Sequence, residues 1–471
     1  MLSDKINITS SLMPGPAYIP WLGWRLQGLS MLKDPMQFFM NTYKRYGLLS
    51  AWDKKNPKHI CAFGPELYKE IITNPDTFIV DAFREGNLPK NSPIERLSFG
   101  LMRLNGDVHL KHRKLMQPAF RQEIINQHTD VIVQTTQQEL DNWKLNEIRQ
   151  VDLDIMRLIS FISMKTMFGL SLASEAQRLQ LLLKDLVHCA ASPLTLLLRF
   201  AIPGTPYHNM LKISEQIEAL IRNIIKQKQN TNSVHNDVLS ILVNANSEDE
   251  KGLSEDEIIS EAYTVLCHES SAACLSWTIF LLDQHPGIWN QLVEENDFVL
   301  QGDYPTVAKL GQLTLLENVI KESVRLMPPA GFAMRYANQD THLGGYFVPK
   351  DAMIFLSSYV SNRLESVYAE PLRFMPQRWD HIKPTPHEYT AFGAGTHSCM
   401  GRHFALLEIK IILSMLLQRF RPSLIPTTRV DRGMRVSLVP KNGLNMRIYK
   451  KNTQIQRPDF TGNLHQSIKL T

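Results

Sequence analysis

One residue of this chain stands where a metal ligand would. Cys399 lies in Phe392-Gly393-Ala394-Gly395-Thr396-His397-Ser398-Cys399-Met400-Gly401, a glycine-bearing loop directly ahead of an apolar stretch that reads as a helix from about Arg402 to Phe420. A helix start leaves backbone amides unpaired and carries the positive end of the helix dipole, and both favour a thiolate. The glycines allow a flat ligand to approach the backbone closely. The combination suits an anionic metal ligand. A lone cysteine before a helix is ordinarily structural, so the surrounding spacing decides the matter. A dinucleotide reading of Gly393-Ala394-Gly395 fails, because its third glycine would fall at position 398, which is serine.

A second pair, Glu322 and Arg325, stands just before Pro328-Pro329. Residues i and i+3 share a helix face, so taken alone the pair reads as a surface ion pair worth about 0.5 kcal/mol.

The elements that position these residues follow from periodicity. Ser254 with Glu257 three residues on forms a capping box. Ile258, Ile259, Ala262, Val265 and Leu266 then recur at helical spacing, and Pro286 is the stop. This predicts a helix of about 30 residues, roughly 45 Å long. No charged side chain occurs between Glu269 and Asp283, so the helix must cross the middle of the core. Around it the pattern predicts a short helix over about 35–46 ending at Gly47, a hairpin over about 48–63, a helix near 65–73 and an irregular stretch over 75–104. Helical periodicity dominates 106–325. Strand patterns return at about 331–360, with Gly344-Gly345 as a turn, and near 434–449. The class is mainly α with small β-sheets. No repeat or long linker divides the chain, which reads as one domain over 1–471, with a Pro-rich opening segment (1–33) and a polar C-terminal tail (452–471).

Composition bounds the function. The 471 residues are 44% apolar and 21% charged, which excludes fibrous and wholly disordered chains. A formal charge of +5, from 51 basic and 46 acidic residues, is too mild for a dedicated nucleic-acid binder. The five cysteines form no CxxC pair, which fits a reducing compartment. The first apolar stretch is broken by Pro14, Pro16 and Pro20, so neither a signal peptide nor a membrane-spanning helix is expected, and the expected location is cytoplasmic.

The spacing F-x-x-G-x-x-x-C-x-G over Phe392, Gly395, Cys399 and Gly401 resembles the haem-ligand signature of the cytochrome P-450 family. Further matches run in family order from Pro14-Gly15-Pro16 to the last strands, so the resemblance covers nearly the whole chain. It implies the cytochrome P-450 fold, a single domain with its long central helix over haem b (iron protoporphyrin IX). Cys399 would be the axial thiolate, with Phe392, Gly393 and Gly401 against the cofactor. Phe374-Met375-Pro376-Gln377-Arg378-Trp379 resembles the family element whose arginine joins the Glu322–Arg325 pair in a buried structural network. His109 and Arg113, i and i+4 on one helical face, with Arg335 and His397, occupy the family's propionate-binding positions; an arginine fork suits a carboxylate.

In the family the middle of the long helix usually reads A-G-x-E-or-D-T, where glycine makes room for dioxygen, the acid relays protons and the threonine hydroxyl steadies the reacting oxygen. Here it reads Leu266-Cys267-His268-Glu269-Ser270. Glu269 and Ser270 keep the acid–alcohol pair and are the expected catalytic residues. Leu266 and Cys267 replace the small pair and should narrow the oxygen groove. The plainer readings stay open: Ser270 bonding the Leu266 carbonyl, Cys267 as core filling, Glu269 pointing away.

The resemblance places the substrate against 82–104, 190–210, the long helix and the turn after Pro329. Leu194, Leu196 to Leu198, Phe200, Ile202 and Ala330 to Met334 imply a hydrophobic substrate, lipid, terpenoid or polyketide-like, though core packing or a membrane-dipping patch explains them equally. No flavin or iron–sulfur segment is present, so electrons would come from a ferredoxin or flavodoxin-type donor with its NAD(P)H reductase. Lys111, His112, Lys114, Arg402, His403 and Lys410 would offer it a basic face, or are simply solvated charge. The expected function is a soluble bacterial-type monooxygenase using O₂. The alternatives are a peroxide-dependent or isomerase/dehydratase-type haem-thiolate enzyme without external electrons, and a non-catalytic haem or ligand carrier.

Overall fold

The computed structural model describes residues 12–17, 23–81, 84, 88–170, 173–190, 192, 194–195, 200–230, 237–248, 252–266 and 269–470. In chain order the elements used below are α1 (Pro35–Tyr46), β1 (Leu49–Ala51), β2 (His59–Ala62), α2 (Pro65–Ile72), β3 (Phe78–Ile79), α3 (Gly106–Met116), β4 (Ile148–Gln150), α4 (Val151–Phe168), α5 (Pro206–Asn230), α6 (Glu255–Val265), α7 (Glu269–Asp283), α8 (Thr314–Leu326), β5 (Ala333–Ala337), β6 (Met353–Leu356), α9 (Arg402–Arg419), β7 (Phe420–Leu424), β8 (Arg432–Met434), β9 (Leu438–Pro440) and β10 (Asn445–Lys450).

Local chemistry explains the boundaries. The Asp34 side chain accepts the Gln37 N–H at 3.0 Å to cap α1, which ends at Gly47 with φ 85°, a conformation glycine reaches without strain. At α6 the capping box is complete: the Ser254 hydroxyl accepts the Glu257 N–H at 3.3 Å, and the Glu257 carboxylate accepts the Ser254 N–H at 2.7 Å. The predicted long helix is helical over α6 and α7; Cys267 and His268 between them lie outside the described residues. Pro286, expected as a stop, also opens the next helix, Pro286–Leu300, at its first turn.

Every residue of α7 from Ala272 to Asp283 is buried. Burial of one large apolar side chain stabilises by about 1.5–3 kcal/mol, so a helix that is apolar all round belongs at the centre. By length and composition the stretch Glu255–Asp283 would suit a membrane span, yet 75% of its apolar window is buried inside the fold.

The strands make small sheets. The largest runs β1-β2-β6-β5-β3, with β2 parallel to β6 (His59 opposite Met353) and the other pairs antiparallel. Gly344-Gly345 forms the predicted turn, both residues at positive φ. A second sheet runs β4-β10-β7, and β8 pairs with β9 as a hairpin, Arg432 opposite Pro440. The stretch 75–104, expected to be irregular, holds β3 and a short helix, Pro93–Leu97. Arg96 on that helix forks onto Glu218 of α5 at 3.0 and 2.8 Å.

Candidate active site

The cysteine loop is folded by its own backbone. The Cys399 N–H donates to the Phe392 carbonyl at 2.8 Å, the Ser398 N–H to Gly395 at 3.1 Å and the Gly393 N–H to Thr390 at 3.1 Å. Gly393 and Gly395 sit at φ 66° and 70°, where a side chain would be strained. Gly401 precedes α9 as its N-terminal cap residue, and its N–H donates to the Cys399 sulfur. The sulfur is exposed at the tip of the loop. Burial of the surrounding loop pushes the thiol up, opposed by the Gly401 N–H, Arg113 and Arg402. A bound metal cation would shift the balance toward the thiolate.

Four bases gather beside this loop. Arg113 reaches across from α3 and donates to the Ser398 carbonyl at 2.8 Å and the Ser398 hydroxyl at 3.1 Å. The His109 and His397 rings lie 4.0 Å apart. Arg335, projecting from β5, donates to the Met334 carbonyl at 2.9 Å. Arg113 and Arg335 have no carboxylate partner among the described residues. The cost of that arrangement is visible: burial, then His109, Arg335 and Arg113, push His397 down to about 3. Burial likewise lowers His109, Arg113 and Arg335. A cluster of guanidinium and imidazole groups with no acid of its own fits an anionic group carrying two carboxylates. Among the described residues, no three His, Cys, Asp or Glu side chains gather into a metal site. A metal here would have a single protein sulfur, its other ligands coming with a cofactor.

Behind the loop lies a buried polar network centred on Glu322. Glu322 and Arg325 on α8 are both wholly buried, bonded at 2.8 and 2.9 Å. The same carboxylate accepts Arg378 Nε at 2.9 Å, Trp379 Nε1 at 3.1 Å and the Met375 N–H at 2.9 Å. Arg325 also donates to the carbonyls of Asn362, Pro371 and Arg373. The pair that, taken alone, reads as a surface ion pair is the centre of the buried network that the resemblance implies.

On the other side of the site, Leu266 is buried and bonds back only three residues, to the Tyr263 carbonyl. Glu269 and Ser270 turn toward the β8–β9 hairpin. The Glu269 carboxylate accepts the Ser437 N–H, and burial raises its affinity for a proton despite Arg435 nearby. The Ser270 and Ser437 hydroxyl oxygens are 3.3 Å apart. Ser270 does not bond the Leu266 carbonyl.

A cytochrome P450 family model matches residues 13–446. The chain belongs to the cytochrome P450 family. It is 27% identical over 424 residues to a cyclooctat-9-en-7-ol 5-monooxygenase of Streptomyces melanosporofaciens, covering 88% of this chain and 90% of that one. It is 28% identical over 437 residues to an 11-oxo-beta-amyrin 30-oxidase of Glycyrrhiza uralensis, covering 87% and 82%. A retinoic acid-bound cyanobacterial CYP120A1 superposes with a TM-score of 0.80 at 23% identity, over 93% of this chain and all of that one. The observed architecture is the P450 fold, and the protein is an oxygen-incorporating oxidoreductase of the haem-thiolate class that works with O₂ and a redox partner.

This P450 brings His109, Arg113, Arg335, Phe392, Gly393, His397, Cys399 and Gly401 into one neighbourhood. Arg402 lies 5.5 Å over the Phe392 ring at the start of α9. The basic face expected for a redox partner needs correction. His112 is fully buried and bonds Glu261 at 2.8 Å and Glu257 at 3.2 Å, and Lys410 is paired with Glu317 at 2.8 Å. Lys111, Lys114, Arg402 and His403 remain exposed. On the substrate side Leu194, Phe200 and Ile202 are exposed, while Leu196 to Leu198 lie outside the described residues.

Three residues at the site were not singled out from sequence. The Tyr68 hydroxyl on α2 accepts the Ala394 N–H and lies against Arg335. Glu408 on α9 is fully buried, accepts from Ser271 on α7, and is pushed up to about 8 by burial; its other oxygen has no partner among the described residues. A carboxylate between Leu407 and Ile409 is a legible anomaly. Ser437, joined to Glu269 and Ser270 across more than 160 residues of chain, carries no such signal.

Proposed function

We propose that this P450 is a single catalytic unit over 1–471 that hydroxylates or epoxidises a hydrophobic small molecule of terpenoid, lipid or polyketide type. In this reading Cys399 is the thiolate ligand of haem b, His109, Arg113, Arg335 and His397 hold its propionates, and Phe392, Gly393 and Gly401 pack against the ring. Glu269 and Ser270 hold and pass protons toward the reacting oxygen. The observation that carries the reading is the exposed Cys399 sulfur at the α9 N-terminus beside a basic cluster with no acid of its own. When bound, a haem thiolate supplies reductive activation of O₂, with one oxygen atom inserted into substrate and the other released as water.

The chain's own residues account for the rest. Arg113 and Arg335 orient a carboxylate-bearing edge through guanidinium forks, Gly401 tunes the sulfur through its N–H, and the Glu269 carboxyl is biased by burial toward keeping a proton to deliver. Support for a terpenoid-like substrate comes from the exposed apolar residues Leu194, Phe200 and Ile202 and from the names of the two monooxygenase relatives. Electrons would come from a ferredoxin or flavodoxin-type donor and its NAD(P)H reductase, docking on Lys111, Lys114, Arg402 and His403, in the cytoplasm.

Cys399→Ser should abolish the thiolate-type ferrous–CO absorbance of the purified protein; its survival would remove Cys399 as the ligand. Optical titration of the ferric protein with terpenoids, fatty acids, steroids and polyketide-like thioesters should give a low-spin to high-spin shift with the matching class. No shift with any apolar ligand would sink the substrate assignment.

A further inference from the structure

The β8–β9 hairpin adds two features to the Glu269–Ser270 pair: a second hydroxyl and an opening to solvent. Its turn, Arg435–Val436–Ser437, is closed by the Arg435 N–H donating to the Ser437 carbonyl at 3.0 Å. The turn is pinned to the central helix, since Trp277 Nε1 of α7 donates to the Leu438 carbonyl at 2.7 Å, and the Leu438 N–H donates to the Pro329 carbonyl at 2.8 Å. This holds Ser437 buried with its N–H on the Glu269 carboxylate and its hydroxyl 3.3 Å from Ser270 Oγ.

On its other side Glu269 faces a cavity of about 180 Å³, lined by Gln150, Asp152, Glu269, Ser276, Arg435 and Lys441. Glu269, Ala272, Ala273 and Ser276 form one stripe of α7, and the two alanines are what leave the space. A water needs at least about 10–15 Å³ of such volume and two or more polar partners, so the cavity has room for several waters. Arg435 faces both acids. It opposes the burial that raises Glu269, and it opposes the burial and the neighbouring Asp154 that raise Asp152. The arrangement is a cavity with polar walls ending on a carboxyl that burial biases toward its protonated form, with the Ser437 N–H on that carboxyl and the hydroxyl of the same residue beside Ser270.

We propose that this cavity is the proton inlet of the oxygen-activating site and that the Ser437 hydroxyl carries the proton from Glu269 to Ser270. The inference rests on the Glu269–Ser270 reading above. The Glu269 carboxylic acid gives its proton to Ser437 Oγ, Ser437 passes its own to Ser270 Oγ, and Ser270 passes its own to the reacting oxygen. A proton from bulk solvent returns to the Glu269 carboxylate through the cavity, each water there giving one proton and taking another; no electron moves along this path.

Ser437→Ala keeps the N–H that holds Glu269 and removes only the hydroxyl. In the haem-loaded enzyme with its electron supply intact, it should raise peroxide released per product by about tenfold or more, as Ser270→Ala should, and Ser437→Thr should restore the ratio. A second readout needs no turnover. In infrared titrations of the ferric protein, with the Glu269 carboxyl band assigned by its loss in Glu269→Gln, Arg435→Leu should move protonation of that band to higher pH. If Ser270→Ala leaks and Ser437→Ala does not, the inlet is overturned and the Glu269–Ser270 relay stands. If neither leaks, the relay fails and takes the inlet with it. An Arg435→Leu titration identical to wild type overturns the inlet, including where Ser437→Ala does not fold.

Discussion

The two sides of this active site are built by opposite means. On the cysteine side, a loop closes on its own backbone and is backed by a buried network in which one carboxylate, Glu322, takes hydrogen bonds from Arg325, Arg378, Trp379 and the Met375 amide. On the side of Glu269 and Ser270, which we propose to be the oxygen side, the pair rests on a separate hairpin through Ser437, next to a cavity of about 180 Å³. The contrast separates fixing from feeding. The ligand side must hold one sulfur in one place, and a saturated network does that. On the proposed reading the oxygen side must admit protons from solvent, and a saturated network would prevent it.

The contrast breaks first at Glu322. Glu322→Ala strips Arg325 and Arg378 of the one acid that pairs with them among the described residues and leaves buried charge uncompensated, which costs about 3–5 kcal/mol. Denaturant unfolding of wild type and variant should show that loss together with poor haem retention. A change under about 1 kcal/mol would mean that the network is ornamental and the loop holds itself.

Glu408 bridges the two sides, sitting on α9, which starts beside Cys399, and bonding Ser271 of α7. Burial moves its proton affinity from an ordinary 4.5 up to about 8. Between those values the native state keeps a proton that the unfolded chain has released, so its contribution makes stability fall as pH rises through that window, with no slope from this group below or above it. Glu408→Gln should remove the slope. It should match wild type at pH 5 and exceed it at pH 8 by up to a few kcal/mol, read from unfolding midpoints at the two pH values. An unchanged slope would show that Glu408 is ionised in place.

How much of this was legible in the sequence follows the same division. The cysteine loop, the Glu322–Arg325 spacing, the capping box at Ser254 and the uncharged run of α7 are local, and each appeared in the structure where the pattern put it. What the pattern could not show is where a side chain goes once distant segments meet. His112 shares a basic stretch with Lys111 and Lys114, yet it is buried because α6 brings Glu257 and Glu261 against it. Lys410 is neutralised by Glu317 from α8. Ser437, Arg435 and Tyr68 are ordinary residues in ordinary contexts, and only the packing of a hairpin on α7 and of α2 on the cysteine loop gives them partners. The acid–alcohol pair was readable as a pair; its orientation was set some 160 residues away.

The smallest expected effect tests that last dependence. Trp277→Phe keeps most of the ring volume and its edge contact with Phe280 but removes the Nε1–H bonded to the Leu438 carbonyl, leaving a buried acceptor unpaired at a cost of about 1–3 kcal/mol. The loss should fall on the oxygen side alone: amide hydrogen exchange at Leu438 should quicken, and peroxide leakage should rise by less than in Ser437→Ala. The ferrous–CO absorbance that reports the cysteine ligand should stay as in wild type. If the absorbance changed as much as the leakage, the two sides would be one mechanical unit, and the hairpin could not be assigned to proton delivery separately from the ligand loop.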